Sequence, residues 1–147
     1  MPANHLDHSA EAIRQSNTMT NILPQTASMN RGAWQHTEMI VECYRDIDEL
    51  LVLGGALWGN DTSNDHFVES HGIATPDQFW KVIIRPDRVI AWLIPNSAPI
   101  RYKDLDKYLV SVREIERVTG ETIPVDDFLK DEIPPTSWQI PMGCDRG

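Results

Sequence analysis

A mixed α+β domain is predicted by three features of the chain: an amphipathic helical stripe in its first third, two adjacent β-forming runs, and a later helical run closed by glycine. The 147 residues, 41% of them hydrophobic, are enough to bury one core, and no apolar run approaches the length of a membrane span.

Each element has a local reason. Ser9 to Gln15 predicts a short helix, with Ser9 as cap and Ala10, Ala12 and Ile13 inward. The long helix is expected from Asn30 to about Asp46, because Trp34, Thr37, Val41 and Tyr44 recur at helical spacing and Ala33, Ile40 and Ile47 widen the stripe. Glu49 to Leu53 reads as a short buried strand ended by Gly54 and Gly55. Phe79 to Arg85 and Arg88 to Ile94 are β-branched and aromatic runs separated by Pro86-Asp87, a tight-turn signal, so an antiparallel hairpin is expected. Trp80, Val82 and Ile84 share one face of it, while Trp92 and Ile94 alternate with Leu93. Asp104 to Gly120 reads as a turn followed by a helix over Val112 to Val118. Pro134-Pro135 begins an extended tail that wraps the surface through Trp138 and Ile140 and ends, exposed, at Cys144 to Gly147. Cys43 and Cys144 form neither a metal spacing nor a dense disulfide framework, and Cys43 is expected to be a small buried residue.

Chemistry concentrates around the start of the long helix. An Asn at position 30 is a favoured N-cap, whose side-chain oxygen accepts a backbone N–H. The same oxygen is a hard neutral donor suited to Mg²⁺, an ion that keeps most of its waters and needs few protein ligands. Glu38 lies eight residues on, which returns it to about 80° from Asn30 around the helix axis. A carboxylate so placed can hold the waters around an ion instead of binding it directly. The spacing leaves cap and metal site both open. His5-Leu6-Asp7-His8 lacks a further recognisable ligand and reads as a solvated segment, and His36 is placed on the polar side of the helix.

The ordered set Asn4-His5, Thr20-Asn21-Ile22-Leu23-Pro24-Gln25, Asn30-Arg31-Gly32-Ala33-Trp34 and Glu38 resembles the DNA/RNA non-specific endonuclease family, which includes mitochondrial endonuclease G. The likeness continues in order through Val52 to Leu57, Phe79 to Ile84, Ile94 to Pro99 and Leu109 to Glu116, and so runs from Asn4 to about Pro124. It implies a ββα-metal nuclease fold, with a mostly antiparallel central sheet and flanking helices, incomplete at the N-terminus. Residues 1–125 would form the partial endonuclease domain and 126–147 a C-terminal extension. The implied function is Mg²⁺-dependent hydrolysis (Mn²⁺ as an alternative) of phosphodiester bonds in DNA and RNA, by a possible homodimer in a mitochondrial or secreted setting. Residue by residue, Asn30 matches the family's metal ligand, Asn21 the Asn that supports the site, and Glu38 the acid that orients water; Arg31 is the candidate substrate contact.

In the family the general base is a His closing an Asp-Arg-Gly-His element, which here would fall ahead of Met1. The chain is therefore expected to be an inactive or impaired fragment rather than a degenerate homologue. A catalytically dead nucleic-acid-binding or protein-interaction module is the alternative. Two features motivate it: 22 acidic against 13 basic residues give a charge of −9, and Glu42 stands where many members carry Arg. Nucleic-acid affinity then requires a local basic groove, for which Arg14, Arg31, Arg45, Lys81, Arg85 and Arg88 are the candidates.

Overall fold

The fold was analysed in a computed structural model, which describes residues 9–11, 23–97 and 99–144. Its centre is a four-stranded antiparallel sheet in the order β1 (Leu51–Leu57), β2 (Gln78–Ile84), β3 (Val89–Pro95) and β4 (Leu109–Val110). The expected hairpin is β2 and β3, with Ile84 paired to Val89 and the turn closed by Arg85 N donating to the Arg88 carbonyl at 2.9 Å.

Both faces of this hairpin are buried, and strand alternation assigns its residues to two cores. Phe79, Ile83, Ile90, Trp92 and Ile94 pack under the long helix with Met29, Ala33, Ile40 and Tyr44. On the opposite face Trp80, Val82, Val89 and Ala91 pack with Val112, Ile115, Ile123 and Leu129. The second helix, α4 (Val112–Thr119), ends at left-handed Gly120 as the sequence predicts, and its first turn is capped by Ser111 Oγ, which accepts from Glu114 N at 3.1 Å. A short helix, α3 (Val68–His71), lies in the connection between β1 and β2.

Three expectations are corrected. Helical structure begins at α1 (Ala27–Met29), continues through a π-helical segment Asn30–Trp34 and becomes α2 (Gln35–Arg45), so Asn30 lies inside the helical run and is not its N-cap. Thr26, extended at φ −65° and ψ 138°, takes the position before it. Next, β1 does not stop at Gly54 but runs on to Leu57, and it is a partly exposed strand, at the sheet's edge among the described residues, rather than a buried one. Its glycines answer to Trp80 on the neighbouring strand: a Cβ on Gly55 would sit 2.8 Å from the indole Nε1, and one on Gly54 would sit 3.1 Å from the Trp80 carbonyl oxygen. Finally, the tail is covalently anchored. Cys43 and Cys144 form a disulfide with Cα atoms 5.4 Å apart, while Trp138 is buried and Ser137 Oγ accepts from the Trp92 indole at 3.1 Å.

Of the helix expected over Ser9 to Gln15, residues 9–11 are described and Ala10 and Glu11 are helical. Asn4, His5, His8, Arg14 and Asn21 lie outside the described residues.

Candidate functional site

The entry to α2 is held from two sides. Asn96, buried at 5% exposure, clips the extended segment before α1: its Oδ1 accepts from Thr26 N at 2.8 Å, and its Nδ2 donates to the carbonyls of Pro24 and Pro76 at 2.9 and 2.8 Å. Both polar atoms of the amide are thereby committed to backbone through three bonds, which fixes the path of the chain into Asn30. On the other side the helical run breaks at Gly32 (φ −110°, ψ −110°), because the backbone of Ile100-Arg101 crosses there. A Cβ on Gly32 would overlap the Ile100 carbonyl oxygen and meet Arg101 Cα at 3.1 Å. Glycine is required by this crossing.

Asn30 sits on the exposed side of the junction. Its backbone N–H donates to the Thr26 carbonyl at 2.9 Å, and its side-chain amide has no hydrogen-bond partner among the described residues. An exposed, uncommitted amide oxygen on a braced backbone fits the donor type that Mg²⁺ takes. Among the described residues no group of three or more His, Cys, Asp or Glu converges as a softer transition-metal site requires.

Two turns on, Glu38 is half-buried beside a charge that the core encloses. Strand alternation turns Lys81 onto the same face as Phe79 and Ile83, beneath α2, where it is 7% exposed. Its Nζ donates to Thr37 Oγ1 at 2.8 Å and lies 4.0 Å from the centre of the Trp34 ring, while Thr37 Oγ1 in turn donates to the Trp34 carbonyl at 2.7 Å. Burial pulls the Lys81 ammonium down to about 8, and the Glu38 carboxylate offsets part of that pull. Glu38 is thus the acidic counterweight to a desolvated cation and is electrostatically tied to it. Sequence reasoning assigned Lys81 to a surface groove. The signal against this was present, since the alternation that puts Trp80, Val82 and Ile84 on one apolar face puts Phe79, Lys81 and Ile83 on the other.

The remaining groove candidates are also committed elsewhere. Arg45 pairs with Glu42, which is buried at 4% exposure, so the like charges of Glu38 and Glu42 are relieved from within the helix. Arg85 lies 3.6 Å from Asp48 and 5.4 Å from the centre of Tyr44, and Arg88 stacks on Tyr44 and Trp138 at 5.6 and 4.6 Å. Arg31 alone of the described candidates is exposed and beside Asn30. His36, placed on the polar side by periodicity, is instead half-buried: its ring stacks on Tyr102 at 3.8 Å and its Nδ1 donates to the Tyr102 carbonyl at 3.1 Å.

A helical run beside an antiparallel sheet that carries an Asn in its entry segment and a Glu eight residues on is the arrangement expected of one nuclease family, and the family's sequence model, DNA/RNA non-specific endonuclease, matches residues 1–131. The chain belongs to that family. Its α+β architecture is the ββα-metal nuclease fold. The mouse mitochondrial nuclease EXOG is 26% identical over 135 residues, which are 81% of this chain and 37% of that protein. A nuclease of the cyanobacterium Nostoc is 29% identical over 142 residues, 87% of this chain and 48% of that protein. Human mitochondrial endonuclease G is 25% identical over 131 residues, 80% of this chain and 44% of that protein. The chain therefore spans less than half the length of these relatives. Among solved structures, a chain in the crystal structure of the EndoG/EndoGI complex superposes with a TM-score of 0.61 at 22% identity, covering 76% of this chain and 51% of that one.

Proposed function

We propose that these residues form the metal-holding part of a Mg²⁺-dependent endonuclease that hydrolyses phosphodiester bonds in DNA and RNA without regard to the sugar. The observation that carries the reading is the uncommitted Asn30 amide at the braced, kinked entry of α2, with Glu38 two turns on. Asn30 holds the ion, with Mn²⁺ an acceptable substitute, through its neutral oxygen. Glu38 accepts hydrogen bonds from the ion's hydration shell, with the buried Lys81 ammonium as its cationic neighbour. Asn21 supports the site and Arg31 draws the substrate phosphate towards it. When bound, a divalent cation offsets the charge that builds on the phosphate and its leaving oxygen. The 147 residues contain no Asp-Arg-Gly-His element to supply the general base, so these residues by themselves are expected to bind metal and nucleic acid and to cleave below detection.

The test is Mn²⁺ binding to the 147-residue chain, followed by electron paramagnetic resonance. One site is expected, abolished by Asn30→Ala and weakened by Glu38→Gln. Undiminished binding in Asn30→Ala would overturn the assignment. A nucleic-acid-binding module without catalysis is the second reading, favoured by Glu42 and by the charge of −9. It predicts nucleic-acid binding with no metal site at all.

A further inference from the structure

Most of the cations in this acidic chain are already occupied. Besides Arg45 and Arg85, Lys107 pairs with Asp104 at 2.6 Å, Arg113 with Asp127 at 3.3 Å and also with Asp131, Arg117 with Glu114 at 2.6 Å, and Lys130 with Glu116 at 2.7 Å. Lys81 is buried and Arg88 is stacked on aromatic rings. Among the described residues, three exposed cations form no salt bridge: Arg31, Arg101 and Lys103, of which Arg101 feels the Asp104 carboxylate only at longer range.

Arg31 lies seventy residues before Arg101 in sequence, yet the fold brings their backbones together. The close approach of Gly32 to the Ile100-Arg101 backbone sets Arg101 against the turn that carries Arg31. Lys103 opens the 3₁₀ helix Tyr102–Tyr108 that follows. That segment is locked to α2 by the stacked rings of His36 and Tyr102 and by the bond from His36 Nδ1 to the Tyr102 carbonyl. Its carboxylates are turned to other work: Asp104 receives Lys107 and, at 3.0 Å, Arg101 N, while Asp106 accepts Ser137 N at 2.8 Å. Arg31 with residues 101–107 counts four cations against two carboxylates, a local balance of +2 on a chain whose total is −9.

We propose that Arg101 and Lys103, continuing from Arg31, form a phosphate-contacting strip that seats the backbone of a nucleic-acid strand beside the entry of α2. The occupant follows from the chemistry of the strip. Exposed guanidinium and ammonium groups in no salt bridge, on a backbone tied to α2 through His36 and Tyr102, suit the repeating anionic backbone of a nucleic-acid strand. A strand so seated is held independently of its base sequence, because backbone contacts position without reading bases. The inference rests on the nuclease reading for its substrate and for Arg31, but the two residues it adds, Arg101 and Lys103, are not among those proposed to hold the metal.

The experiment is fluorescence anisotropy of a labelled single-stranded DNA oligonucleotide with the full 147-residue chain in EDTA, over a salt series. Each phosphate contact to a single strand contributes about 0.7 to the slope of log affinity against log salt. Removing two in Arg101→Ala/Lys103→Ala should lower that slope by about 1.4, which is about 25-fold weaker binding at 0.1 M salt and no difference near 1 M. Arg101→Lys/Lys103→Arg should bind as the parent does. Removing the α4 ion pair in Glu114→Ala/Arg117→Ala should also leave binding unchanged, as that pair lies across the sheet. A parent that binds with an unaltered slope in the double variant overturns the strip and leaves the nuclease reading standing. A parent with no affinity for the oligonucleotide overturns both.

Discussion

Lys81→Met is the substitution that best tests how the core and the site are coupled. The two side chains have similar volume, so packing against Trp34 is kept while the charge is removed. Burial lowers the Lys81 ammonium from 10.5 to about 8. At about 1.4 kcal/mol per pH unit, the protonated lysine therefore costs the folded state about 3 kcal/mol at pH 7. Loss of the hydrogen bond to Thr37 Oγ1 returns about 1 kcal/mol of that, leaving the variant about 2 kcal/mol more stable. For a chain of this size that is a rise in Tm of about 4–8 °C. The sign depends on pH. Below about 8 the folded protein carries the full penalty; between about 8 and 10.5 the unfolded chain binds more protons than the folded one, so the parent gains stability as pH rises. Urea unfolding of both proteins from pH 7 to 11 should show the variant's advantage shrinking and then reversing by about 1 kcal/mol. Parallel curves, or a variant less stable at pH 7, would show that Trp34 and Glu38 already compensate the buried charge. The expected gain in stability comes with weaker Mn²⁺ binding, since Glu38 loses the cation that holds it. A destabilising buried lysine of this kind fits a functional position better than a structural one.

The other predictions bear on the scaffold. Reduction of Cys43–Cys144, or Cys144→Ser, opens a loop closed across 101 residues and should lower stability by up to about 4–5 kcal/mol, read as the difference in urea midpoint with and without dithiothreitol. Asn96→Ala strands the Thr26 N–H and the Pro24 and Pro76 carbonyls and should cost about 2–4 kcal/mol, with Mn²⁺ affinity falling as well because the approach to Asn30 is freed; an unchanged melting curve would show that this clip is redundant. His36 is held below its ordinary value chiefly by burial, so from pH 7.5 downwards the unfolded chain takes up its proton first and stability falls as the pH passes 6.5. His36→Gln should flatten that decline between pH 7.5 and 5.5, a window that excludes Asp104, Glu114, Glu116 and Asp131, whose depressed carboxyls titrate lower.

How far this molecule could be read from its residues depended on whether the decisive contact was local. Pro86-Asp87 between two β-branched runs, and Gly120 after a helical run capped by Ser111, place both causes within a few residues, and both elements stand where the sequence predicts them. Gly54 and Gly55 carry the opposite lesson. As punctuation they end a strand, but their cause is Trp80 on a strand more than twenty residues away, its indole at Gly55 and its carbonyl at Gly54, and the strand runs straight through them. Gly32 works in the same way: within its own helix it is an unfavourable residue, and only the backbone at Ile100-Arg101 explains it. The disulfide across 101 residues leaves no local trace at either cysteine. In the candidate site, helical spacing alone left Asn30 divided between cap and ligand, and the cap is now excluded by helical structure that begins at Ala27. With the cap gone, the amide of Asn30 has no structural task among the described residues, whereas the neighbouring amide of Asn96 is fully used by the backbone. That contrast between a spent amide and an uncommitted one, on either side of the same segment, is what gives the metal-ligand reading of Asn30 its physical footing.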